Sequence, residues 1–118
     1  MNQRGDVVIV TIPYAVNGGA KDRPAVVVQC DRLNQKLATT IVAGITTNIA
    51  RVATEPTQFL VDPVTPDGKP SGLFQASAVK CENLFTVSSK RVKKTIGRLS
   101  GTLLQKLEAC LKATLELQ

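Results

Sequence analysis

The chain has 118 residues, the length of one domain with room for a single core. Lys and Arg total 15 against 9 Asp and Glu, and the resulting charge of +6 favours a polyanionic or acidic partner. There is no histidine, which excludes a Ser-His triad, histidine acid–base catalysis and the common histidine metal sites.

Val7 to Ile12 is nearly all β-branched and lies between Gly5 and Pro13, which predicts a first strand. Tyr14 to Asp22 carries Asn17, Gly18 and Gly19 and reads as a flexible loop. Pro24 to Gln29 reads as a second strand, buried on both faces or nearly so, and Asp31 to Lys36 as a polar connection. Thr39 to Thr46 is a third β-branched run. Asn48 to Glu55 is a turn-rich link that carries Arg51, and Thr57 to Val61 suggests a fourth strand.

Asp62 to Gly72 contains Pro63, Pro66, Gly68, Pro70 and Gly72 and reads as a long loop. Ala76 to Val87 returns to strand composition. Ser88 to Lys94 is a basic turn or a single helical turn, and Thr95 to Leu99 a last short strand. Leu103, Leu104, Leu107, Cys110, Leu111, Thr114 and Leu115 then fall at helical spacing, with Lys and Glu between them. They predict an amphipathic helix of about four turns, with Ser100 as its N-cap. Short strands followed by one helix imply a β-rich α+β domain over residues 1–118, a small antiparallel barrel or curled sheet with a C-terminal α-helix against it.

Cys30, Cys81 and Cys110 are far apart and form no Cys-x-x-Cys pair, so reduced, buried thiols are expected, with no disulfide or metal site. Arg4 and Asp6 interrupt any leader-like apolar stretch, and no apolar run approaches the roughly 18 residues of a membrane span. A cytoplasmic, soluble protein is expected.

Polar residues at strand ends beside loops are where binding groups concentrate. Arg23, Thr46, Thr47, Glu82 and Asn83 occupy such positions. Taken singly, each is better explained by a surface ion pair or ordinary strand filler. Arg4-Gly5-Asp6 reads as a turn with a local ion pair, and Lys90, Arg91, Lys93 and Lys94 as a solvated face or a backbone-steering patch.

Taken together, four collinear segments resemble the MazF/PemK/Kid family of toxin endoribonucleases. They are Arg4-Gly5-Asp6-Val7, Arg23-Pro24-Ala25-Val26-Val27-Val28-Gln29, Thr40-Ile41-Val42-Ala43-Gly44-Ile45-Thr46 and Val79-Lys80-Cys81-Glu82-Asn83-Leu84-Phe85-Thr86. Ile96-Gly97-Arg98-Leu99-Ser100 and the closing helix extend the match over essentially the whole chain. The resemblance implies an SH3-like β-barrel, a homodimer and cofactor-free, metal-independent cleavage of single-stranded RNA. The RNA's own 2′-OH would attack, leaving a 2′,3′-cyclic phosphate and a 5′-OH. It also implies a cognate antitoxin whose acidic, disordered C-terminal segment lies along the same basic groove.

By position, Arg23 matches the family's catalytic arginine and Thr46 the threonine that ends the third strand. Arginine's fixed fork of donors suits two phosphate oxygens. Lys80 and Glu82 match an Arg-Cys-Asp stretch, with Glu82 the catalytic base if its surroundings raise its pKa. Asn83 stands where many members carry Gln and can read a base edge, whereas Phe85 replaces a frequent Arg and can stack on a base. Asn17 to Lys21 matches the mobile loop over the RNA groove, and Thr47 adjoins the same groove. Two further readings stand beside this one: a non-enzymatic toxin on the same barrel resembling the CcdB gyrase poisons, and a catalytically dead binding relic.

Overall fold

The computed structural model describes residues 2–13 and 19–118. Among the described residues six antiparallel strands form one sheet: β1 (Asp6–Pro13), β2 (Ala20–Val27), β3 (Thr39–Thr46), β4 (Gln58–Val61), β5 (Ser77–Ser88) and β6 (Val92–Arg98). Two helices accompany them, α1 (Asp31–Lys36) and α2 (Gly101–Leu115). The strand order is β4-β5-β3-β2-β1-β6, with every neighbouring pair antiparallel. This is the expected β-rich α+β architecture, except that the hydrogen-bond ladder stays open between β4 and β6.

Alternation along the strands sends side chains to two buried sides. Val7, Val26, Ala43, Ile45, Phe59, Val61 and Val79 meet Leu103, Leu107 and Cys110 of α2. Val8, Val10, Ala25, Val27 and Val42 form a second cluster with Val87, onto which Ile12 and Val92 pack. Burial on both faces explains the unbroken valine runs, because neither face of β1 or of the second half of β2 needs polar residues. Ser100 caps α2 through its side-chain oxygen, which accepts from the Leu103 amide at 3.2 Å.

Three element boundaries differ from the sequence reading. Asp31 to Lys36 is a helix and not a bare connection. Its Asn34 is buried in a side-chain network that donates to the Gln29 carbonyl and accepts from the Gln29 amide and the Thr40 hydroxyl. That network ties α1 to β3, and a tertiary tie of this kind leaves no periodic signal in six residues. Second, β2 begins at Ala20, not Pro24, because the β1–β2 ladder continues through Thr11 and Asp22 to Pro13 and Ala20. Third, β6 begins at Val92, after a 3-10 turn at Ser89–Arg91. Its lysines are those of an edge strand, where charge discourages further pairing.

The expected local pair of Arg4 and Asp6 is not formed. Arg4 contacts Glu108 of α2 at 3.4 Å and Asp6 contacts Arg98 of β6 at 3.6 Å, so both charges tie the first strand to distant elements. Cys30 is exposed at the start of α1, whereas Cys81 and Cys110 are buried as expected. Among the described residues no helix is long and apolar enough to cross a membrane.

The open edge is bridged by the long loop before β5, whose 3-10 turn (Lys69–Ser71) packs on β6. Gly72 has φ +74°, and a Cβ there would collide with the Ile96 carbonyl; a Cβ on Gly97 would collide with the Pro70 carbonyl. Backbone therefore lies directly on backbone at this joint. Gly72→Ala is expected to cost about 2–3 kcal/mol in urea unfolding. Gly101→Ala, where a Cβ meets nothing within 4 Å, should stay within about 0.5 kcal/mol of the parent.

Candidate active site

The site is built where β2, β3 and β5 lie side by side. Arg23 on β2 is paired with Val10, Thr46 ends β3 opposite Ala78, and Lys80 of β5 faces Gly44 on one side and Gln58 on the other. One step along β3, from Ala43 to Gly44, corresponds to four along β5, from Leu84 to Lys80. Cys81, Glu82 and Asn83 therefore have no partner on β3, and β5 bulges at this point. Cys81 points inward and is fully buried, while Glu82 and Asn83 are exposed.

A cleft of about 400 Å³ opens beside the bulge. Arg23, Thr46, Thr47, Lys80, Asn83 and Phe85 all line it, together with Ile12, Pro24, Gly44 and Ser77. Six of the residues singled out from the sequence thus converge on one concavity. A Cβ on Gly44 would stand 3.7 Å from both Asn83 and the Phe85 ring, an ordinary contact, so the space here would accept an alanine. Thr46 accepts a hydrogen bond from the Asn48 amide at 3.1 Å, which orients its hydroxyl and leaves the proton available for a ligand.

A second cleft, of about 320 Å³, adjoins the first and shares Thr46 and Lys80 with it. Its other walls are Asn48, Arg51, Gln58 and Glu82. Glu82 thus lines the second cleft and not the one that holds Arg23. Its Oε1 accepts from the Thr57 hydroxyl at 3.0 Å and its Oε2 from Gln58 Nε2 at 2.7 Å. Partial burial pushes its pKa up, but hydrogen bonds from Gln58, its own backbone and Thr57, and then the charge of Lys80, together hold it below the ordinary 4.5. The raised pKa on which the base role was conditional is not found.

Burial pushes the Cys81 thiol up to about 12, with Cys110 and Glu82 adding to the rise, and burial likewise raises Cys110. Cys81 is a protonated packing residue under α2 and not a nucleophile. Lys21 shares a strand face with Arg23 but lines neither cleft. Asn17 lies outside the described residues. Lys93 contacts Asp22 at 3.9 Å, and with Lys94 it lines a separate apolar hollow beside Phe74.

Sequence reasoning did not single out Asn48, Arg51 or Gln58 as site residues. The one available signal was a polar Gln58 inside a strand pattern, here buried and hydrogen-bonded to Glu82.

A family model for the PemK-like, MazF-like toxin of type II toxin–antitoxin systems matches residues 3–115. The endoribonuclease MazF9 of Mycobacterium tuberculosis is 33% identical over 124 residues, covering 99% of this chain and 98% of that protein. The solved Mycobacterium tuberculosis toxin MazF-mt6 superposes with a TM-score of 0.74 at 25% identity, over 96% of this chain and 98% of its own. A mycobacterial endoribonuclease solved in complex with its cognate antitoxin gives 0.75 at 21% identity, over 100% of this chain and 98% of its own, a likeness that carries the fold.

The geometry around Glu82 sets a titration. Its folded-state pKa lies below the ordinary 4.5, so its contribution to stability is fully present above that pH and lost as pH falls through the folded value. The contribution is small for so exposed a group. An NMR titration of the Glu82 side-chain carboxyl should give a midpoint below 4.5. Gln58→Leu, which removes the strongest of the lowering bonds, should move that midpoint upward.

Proposed function

This chain belongs to the PemK-like, MazF-like toxins of type II toxin–antitoxin systems, and from that footing we propose that it is a sequence-specific endoribonuclease that cuts single-stranded mRNA without a metal ion. The observation that carries the reading is the meeting of Arg23, Thr46 and Lys80 around one open cleft. Two cations and an oriented hydroxyl are what a phosphodiester passing through a doubly charged phosphorane requires.

The ribose 2′-OH attacks the adjacent phosphorus and closes the 2′,3′-cyclic phosphate. The bond from phosphorus to O5′ breaks, and the departing oxygen takes up a proton from water, which replaces the one released by the 2′-OH, to become the 5′-OH. The nucleophile and the phosphorus belong to one molecule, so the protein's task is alignment and charge stabilisation. Arg23 spans two phosphate oxygens and donates toward the leaving O5′. Thr46 donates its hydroxyl proton to the scissile phosphate, and Lys80 adds positive charge from the floor of the groove. A water in the open cleft accepts the 2′-OH proton. Glu82, whose pKa is held below the ordinary 4.5, is a weaker base than a free carboxylate and is not assigned that step. Asn83 and Phe85, on the Arg23 side of the groove, offer an amide to a base edge and a ring to a base face.

The partners follow from the same reading. The working form is a homodimer in the cytoplasm, where cleavage of mRNA stops translation and growth. As for the mycobacterial relative solved with its antitoxin, a cognate antitoxin is the controlling partner. The net charge of +6 suits an acidic, disordered segment of that antitoxin as it suits RNA.

Arg23→Ala is expected to lower RNA cleavage by at least about 10³-fold with an unchanged urea midpoint, and Thr46→Ala by about 10²-fold. Both are read as single-turnover rates on one RNA. Cleavage by Arg23→Ala at the parental rate would remove Arg23 from the chemistry.

A further inference from the structure

We propose that the second cleft, walled by Thr46, Asn48, Arg51, Gln58, Lys80 and Glu82, is a subsite for guanine next to the scissile phosphate, and that Glu82 is its specificity-determining residue. The inference rests on the ribonuclease reading above and says which base that reading selects.

Continuity comes first. Thr46 and Lys80 belong to both clefts, so a phosphate held between Arg23 and Thr46 leaves a neighbouring nucleotide at the mouth of the second. That cleft measures about 320 Å³ and its lining is predominantly polar, which gives room and donors for one base.

The chemistry of its wall then discriminates among bases. Gln58, on the edge strand β4, donates to Glu82 Oε2 at 2.7 Å, and the Thr57 hydroxyl stands between Glu82 Oε1 at 3.0 Å and Glu55 Oε2 at 3.1 Å with one proton to share. The Gln58 bond sets the orientation of the carboxylate. Each ionised oxygen keeps a further acceptor site, and neither can donate. A fixed pair of neighbouring acceptors matches two parallel N–H groups.

Among the four RNA bases only guanine presents two adjacent N–H donors on its Watson–Crick edge, at N1 and N2. Adenine and cytosine present one amino group beside a ring acceptor. Uracil presents one N–H between two carbonyls. Each of those three sets an acceptor against the carboxylate.

The opposite chemistry is also present in the same cleft. Arg51 supplies a guanidinium, the usual partner of guanine O6 and N7. Asn48 accepts from the Ala50 amide at 3.1 Å through its carbonyl, so its amide group is left as a donor. The cleft therefore offers acceptors for N1–H and N2–H and donors for O6 and N7. The same bonds from Gln58 and Thr57 keep the carboxylate ionised near neutral pH.

The test is to map cut sites by sequencing on a random-sequence RNA pool, with the parent protein and with Glu82→Gln. A companion RNA carries inosine in place of guanosine and so lacks only the N2 amino group. The parent should cut at sites with guanine at one fixed position beside the cut, and inosine there should slow cutting at least about tenfold. Glu82→Gln should keep cutting while its preference for guanine falls by a similar factor. The inosine arm uses the unsubstituted protein and is independent of how the variant folds.

Parental cut sites with no guanine beside the cut, an unchanged rate on inosine, or an unchanged profile for Glu82→Gln would each overturn the subsite and leave the ribonuclease reading standing. Loss of cutting at every sequence by a folded Glu82→Gln would overturn it in favour of a proton-transfer role. No cutting by the parent would overturn the ribonuclease reading itself, and the subsite with it.

Discussion

Between Ala43 and Gly44 of β3, the neighbouring strand β5 takes four steps instead of one, and Cys81, Glu82 and Asn83 are left without partners across the ladder. The stretch is unpaired toward β3 only, since the Cys81 amide donates to the Thr57 carbonyl at 2.9 Å, and its side chains are pinned from both sides. Cys81 is driven under α2 against Cys110, in the cluster that also holds Leu103 and Leu107. Glu82 is held by Thr57 and Gln58 from the direction of the β4 edge. Alternation then sends the groups flanking Cys81 outward, so Lys80 and Glu82 must face the groove once Cys81 is buried. The packing of one small thiol thus decides where the charged side chains stand, and the C-terminal helix, distant in sequence, becomes part of the site's foundation.

The bulge also divides the groove. On one side Arg23 and Thr46 surround a concavity with Asn83 and Phe85 at its rim; on the other Arg51 and Asn48 face Glu82. Lys80 is common to both, as is Thr46. A chain of phosphates with splayed bases fits such a divided, cationic groove better than a compact ligand does. On the proposed mechanism a histidine-free protein suffices, because the RNA brings its own nucleophile. What remains is charge stabilisation, for which an arginine that never deprotonates is well suited.

The strands were legible wherever burial on both faces left runs of β-branched residues, as in Val7 to Val10 and Thr39 to Thr46. The closing helix was legible from its spacing and the Ser100 cap. What escaped was set by tertiary contact. Helix α1 depends on Asn34 joining Gln29 and Thr40, and the start of β2 on a ladder that overrides polar composition at Lys21 and Asp22. In the site, Arg23, Thr46, Thr47, Lys80, Asn83 and Phe85 line one cleft, and their roles there are proposals. The environment of Glu82 could not be read, because the side chains that hold it come from Thr57 and Gln58, some two dozen residues away.

The most direct test of a self-cleaving phosphodiester held by Arg23 and Thr46 is incubation of the purified chain, free of antitoxin, with a long unstructured RNA in excess EDTA. The 5′ and 3′ ends of the fragments are then mapped. Discrete cuts at one short sequence, with 5′-OH and cyclic phosphate ends, are the expected result. Intact RNA in the presence of folded protein, or cuts that appear only when a divalent cation is restored, would contradict it.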